Sequence, residues 1–139
     1  MNRRLFLVST LALAGCSDGP ARQTVICDRG LGGVLSQALD QGPVKVAVVA
    51  NEAGVQALLD QAEREPSALV VTRQSMVANR LQRLGYVRLE HRWQARVDGG
   101  TVEILVTKGW GLDQQRALRL AKWLAGEDAA PLLGAVTAP

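Results

Sequence analysis

Apolar residues recur along this chain at two spacings, and the switch between them outlines its organisation. Thr24, Val25, Ile26 and Cys27 form a short β-branched run. Leu31, Val34, Leu35, Ala38 and Leu39 then follow at helical spacing until Gly42 and Pro43 stop the helix. Residues 44–49 predict a second strand, continuously apolar near its end as buried parallel strands are. Val55, Leu58, Leu59 and Ala62 place a helix ahead of Pro66. Residues 68–72 predict a third strand, and Met76, Val77, Arg80, Leu81 and Leu84 a third helix closed by Gly85. From 87 to 97 the period becomes two: Val87, Leu89, His91, Trp93, Ala95 and Val97 alternate with Arg88, Glu90, Arg92, Gln94 and Arg96, the pattern of a half-exposed strand. Asp98, Gly99 and Gly100 signal a hairpin turn, and residues 101–107 return antiparallel. Asp113 is then expected to cap a last helix carrying Leu112, Ala117, Leu120, Ala121 and Leu124. Right-handed crossovers make the first three strands parallel. The expected fold class is therefore α/β, a three-layer α/β/α sandwich with a mixed sheet of three parallel strands plus an antiparallel hairpin.

Ahead of these elements, Arg3 and Arg4 precede an apolar run, residues 5–15, that holds no acidic residue. A basic head and a short apolar stretch make a signal peptide, and the run falls well short of the roughly 20 residues that span a bilayer. Leu13, Ala14, Gly15 and Cys16 resemble the lipobox of bacterial lipoproteins, which implies cleavage before Cys16 and attachment of acyl chains to its thiol and amine. Several chains together anchor a protein where one holds only marginally. Residues 3–7 also resemble the core of a twin-arginine export signal; the general secretion route is the alternative. The expected organisation is a signal peptide over 1–15, a lipidated tether over 16–23, one domain over 24–133 and a flexible tail over 134–139, all on the periplasmic side of an inner or outer membrane.

Composition changes the picture in two ways. Without the signal peptide, fourteen basic residues face thirteen acidic ones, so the alkaline isoelectric point is no argument for nucleic acid, which is not an expected partner. Once Cys16 is acylated, Cys27 is the only other thiol, so no intramolecular disulfide forms and stability rests on the core.

Three stretches, taken with the order of elements, resemble the first lobe of class II periplasmic substrate-binding proteins, most closely the molybdate-binding type. Residues 24–39 are similar to that family's opening strand, loop and helix, and residues 44–59 to its second strand. Residues 67–72 with 76–87 look like its third strand and methionine-bearing helix, and Gly109 with residues 114–133 like its returning helix. The resemblance implies a solute receptor serving an ABC permease. It also implies a missing second lobe, with Asp98, Gly99 and Gly100 closing the crossover into a hairpin. Such receptors clamp their ligand between two lobes, and one lobe cannot clamp. The family's small hydroxyl residues are replaced here by Cys27, Asp28, Arg29 and Gly30 after the first strand and by Asn51 and Glu52 after the second.

Ligands of open α/β sheets sit at the carboxyl ends of the parallel strands, where helix N-termini favour anions. Asp28, Arg29, Asn51, Glu52, Thr72, Arg73 and Gln74 fall on that rim, the expected site for a small anionic solute. Arg29 and Arg73 either bind it or neutralise Asp28 and Glu52. Cys27 is either a buried strand residue or a thiol activated by a helix N-terminus. His91 has no second ligand at metal spacing. Trp110, between glycines, is an anchor for a partner or a core residue. With Arg92 and Arg96 it makes the expected partner surface of the second reading, an accessory lipoprotein that docks onto a periplasmic complex. Ser36, Ser67 and Ser75 lack the turn and the histidine that serine hydrolysis needs. No catalytic set, metal site or cofactor is expected, and the chain is not read as an enzyme.

Overall fold

The structure, a computed structural model, describes residues 20–97 and 100–134; the signal peptide, Cys16, Asp98, Gly99 and residues 135–139 lie outside the described residues. In chain order the elements are β1 (Ala21–Asp28), α1 (Gly32–Asp40), β2 (Val46–Ala53), α2 (Val55–Arg64), β3 (Leu69–Thr72), α3 (Ser75–Arg83), β4 (Arg92–Val97), β5 (Gly100–Val106) and α4 (Gly111–Leu124). The fold is α/β, and the strands form one mixed sheet in the order β2-β1-β3-β5-β4. β1 runs parallel to both β2 and β3, while β5 is antiparallel to its neighbours β3 and β4.

This order follows from the chirality of the connections. β2 and β3 lie on opposite sides of β1, so right-handed crossovers send α1 and α2 to opposite faces. Two separate apolar clusters result. Val25 and Cys27 of β1 pack with Leu35 and Leu39 of α1, Leu120 and Leu124 of α4, and Ile104 of β5. Ile26, one residue out of phase, packs with Leu58 of α2, Leu81 of α3, Val70 and Leu105. The period-two alternation of strand side chains thus divides the core between the two faces. Among the described residues no helix is long and apolar enough to cross a membrane.

Three sequence expectations change. β2 is an edge strand, half-exposed along its length, because β1 pairs on its other side with β3. Its apolar run reports packing against α1, not burial from both sides. The alternating stretch forms a strand only from Arg92; residues 89–91 are a single 3-10 turn and Leu89 is 70% exposed. β5 lies inside the sheet between β3 and β4, with β4 at the edge, so the hairpin forms an antiparallel edge pair. Finally, α4 begins at Gly111 with Trp110 as its N-cap, and Asp113 sits in the first turn, where it accepts from Arg116 Nη2 at 2.9 Å.

Candidate functional site

The crossover direction reverses between β1 and β3, and in open α/β sheets the crevice at such a point is where ligands bind. Asp28 closes β1 there, and its carboxylate faces the loop after β3. It accepts from Thr72 Oγ1 at 2.8 Å and from the backbone N–H of Arg73 at 2.8 Å. Arg73 Nε lies 3.6 Å from the second carboxylate oxygen. Thr72 Oγ1 also accepts from the Gln74 N–H at 3.0 Å, which sets the turn into α3. Asp28 and Thr72 are buried and hold the loop, and Arg73 is exposed above them.

Glu52 has a comparable role one strand away. It accepts from the Gly32 N–H at 2.7 Å, at the first turn of α1. A helix N-terminus attracts anions, and at α1 the protein's own carboxylate takes that place. A Cβ at Gly32 would lie 2.5 Å from Glu52 Oε2, so a side chain there displaces this carboxylate. Asn51 stands half-buried on the edge strand beside Ile26 of β1.

The first turn of α2 is different. Its N-cap is Gly54, no side chain caps it and no acidic residue lies in its first turn. Arg29 reaches across it: a Cβ on Gly54 would lie 3.9 Å from Arg29 Nη1. A guanidinium therefore stands over the positive end of a helix, and Arg29 forms no ion pair among the described residues. Asp28, Arg29, Ala53, Gly54, Val55, Arg73 and Gln74 line a hollow of about 200 Å³ at this point. The structure thus brings Asp28, Arg29, Thr72 and Arg73 together, while Glu52 is turned to α1 and Asn51, in register with Ile26, does not line the hollow. Gly54 and the bare first turn of α2 were not picked out from sequence; the absence of an acidic residue after Gly54 was the available signal.

Cys27, beneath the rim, is fully buried. Burial, reinforced by the nearby charges of Glu52 and Asp28, pushes its thiol up from 9.0 to about 12. It is a strand residue of the core and not an activated thiol. Among the described residues no group of histidine, cysteine and carboxylate side chains is placed to hold a metal ion.

The three residues read as a partner surface are not neighbours. Arg96 pairs with Thr101 near the start of β5, whereas Trp110 follows the end of that strand. Arg92 is engaged internally: its Nε donates to Glu103 at 3.1 Å and its Nη1 to Gln82 at 3.0 Å. Gln94 Nε2 donates to the other Glu103 oxygen at 2.8 Å. Glu103, a charge in the middle of an otherwise apolar strand, was the sequence signal for this pairing. Trp110 is 76% exposed, which excludes the core alternative.

Comparison of the chain with protein families, curated proteins and solved structures finds no match.

Proposed function

We propose that this chain is a periplasmic lipoprotein, anchored through Cys16, that binds a small anionic solute at the strand-end rim. In this reading it is a single three-layer lobe related to the solute-binding proteins of ABC transporters, and it performs no catalysis. The observation that carries the proposal is the juxtaposition of Arg29 with the uncapped N-terminus of α2, two positive groups side by side with no acidic residue in the helix's first turn. An anion in the hollow would satisfy both. Arg73 would form the opposite wall, held there by Asp28. The hairpin of β4 and β5 fits a lobe whose crossover has been shortened to a turn.

The test is a melting experiment on the lipidated protein in detergent, with phosphate, molybdate and small dicarboxylates titrated in turn. A ligand at a hundred times its Kd adds about 2.7 kcal/mol to stability, a clear and saturable shift. Arg29→Ala is expected to abolish it without altering the Asp28 network. No shift with any anion, or an undiminished shift in Arg29→Ala, overturns the reading.

A second reading, an accessory protein docking onto a periplasmic complex, draws on Val55 and Met76. They are 37% and 59% exposed beside the hollow and offer a protein partner apolar contact. Crosslinking from Met76 in intact membranes separates the two.

A further inference from the structure

Of the seven large apolar side chains exposed among the described residues, Leu84, Tyr86, Leu89, Trp110 and Leu112 all lie at one end of the sheet, opposite the rim. That end is formed by the starts of the parallel strands and the close of β5. Trp110 and Leu112 are the most exposed of all, at 76% and 78%. They form a ridge around Gly111, whose φ of +70° turns the backbone between them. A hollow lies on either side. The first, about 310 Å³, is lined by Tyr86, Arg64, Pro66 and Lys108 together with Trp110. The second, about 280 Å³, is lined by Ala21, Val44, Lys45 and Arg119 together with Leu112.

The charges at this end complement an anionic surface. Glu63 is paired with Arg80 and Asp113 with Arg116. Asp40, Glu90 and Glu65, which lines the first hollow, also lie at this end without an ion pair, but Lys45, Arg64, Arg88, Lys108 and Arg119 are exposed, form no ion pair among the described residues and outnumber them. The chain also enters the domain here, since Ala21 opens β1 and lines the second hollow. Cys16 is five residues earlier, and a fully extended chain covers at most about 3.6 Å per residue, so the anchor point lies within about 18 Å of this surface.

We propose that this end of the domain seats on the bilayer itself, with Trp110 and Leu112 in the interfacial layer and Lys45, Lys108 and Arg119 on anionic headgroups. The inference rests on the anchoring at Cys16 proposed above. Tryptophan favours the interface because its ring is apolar and its N–H remains hydrated. The lipid keeps the surface within reach, and the ridge fixes the orientation. β1 then runs away from the membrane, and its eight residues lift the rim roughly 25 Å above the surface, facing the periplasm. A small solute approaches the hollow beside Arg29 without obstruction from the bilayer.

The experiment uses the lipidated full chain in vesicles of phosphatidylethanolamine and phosphatidylglycerol with brominated acyl chains, against vesicles without bromine. Trp110 emission is taken as the difference between the parent and Trp110→Phe, which removes the contributions of Trp93 and Trp123. Intact mass reports acylation of Cys16. The expected result is at least twofold quenching of Trp110 by bromine, lost in Leu112→Ser/Lys108→Glu. Water-like Trp110 emission on acylated protein overturns docking and leaves the anchor standing. Quenched Trp110 without acylation overturns the anchor and leaves docking standing. Exposed Trp110 without acylation overturns both. Emission that is shielded only in native membranes, never in lipid vesicles, overturns lipid docking in favour of a protein partner.

Discussion

Arg92 was expected to face a partner, yet its guanidinium is committed inside the domain, and removing it should unsettle the fold. Glu103 is 2% exposed on the interior strand β5, and the Arg92 side chain is 17% exposed beside it. In Arg92→Met the aliphatic stem is retained, but the carboxylate keeps only the 2.8 Å bond from Gln94. A buried charge that loses its partner destabilises by about 3–5 kcal/mol. Some solvent reaches Arg92, so the lower end applies, about 3 kcal/mol. Against a typical total stability of 5–15 kcal/mol this is a substantial fraction, and it lowers the melting temperature by roughly 10 °C. Arg92→Met/Glu103→Leu should recover most of the loss, because an apolar pair of similar volume replaces the ion pair without leaving a charge behind. Urea unfolding at neutral pH, followed through the half-buried Trp93 on β4, measures all three proteins. The reasoning fails if Arg92→Met unfolds within about 1 kcal/mol of the parent, or if the double variant is no more stable than the single one.

Two further outcomes are expected. Cys27 should resist alkylation in the folded protein near neutral pH and react fully in denaturant, since burial first, and Glu52 and Asp28 next, hold its thiol up at about 12. Below about pH 9 the folded and unfolded chains both keep this proton. Above it only the unfolded chain releases it, so the thiol's contribution to stability is lost as the pH rises toward 12; a Cys27→Ala variant that loses stability over this range as steeply as the parent would refute this. Gly109→Ala should destabilise by about 1–3 kcal/mol, because the new methyl overlaps Ser67 Oγ and meets the Ser67 backbone nitrogen at 2.9 Å. Ser67 has little room to retreat: its φ is +54°, and its N–H donates to the Lys108 carbonyl at 3.2 Å. An unchanged melting temperature would show that the loop is not closed as described.

The sequence by itself determined the kinds of element, residues 89–91 excepted, and the core positions of most of them. Leu35, Ala38 and Leu39 recur with the period of a helix, and Val25, Ile26 and Cys27 with the density of a strand covered on both faces. Those periods arise from local backbone geometry and are legible wherever they occur. Of the two readings open for Cys27, the structure selects the buried one. Neighbours could not be read this way. The apolar run of β2 looks like an interior strand, yet β2 sits at the edge, because β1 has two sides and β3 takes the other. Met76, Leu84 and Leu112 fit helical patterns but point outward, since no element of the domain reaches them. The charged residues of the rim were legible as a group, while their division of labour was not. That Asp28 holds a loop depends on Thr72, forty-four residues away, and the role of Glu52 depends on Gly32. Tertiary pairing alone decides such partners, because a charge is defined by what stands within a few ångströms of it, and spacing along the chain carries no record of that distance.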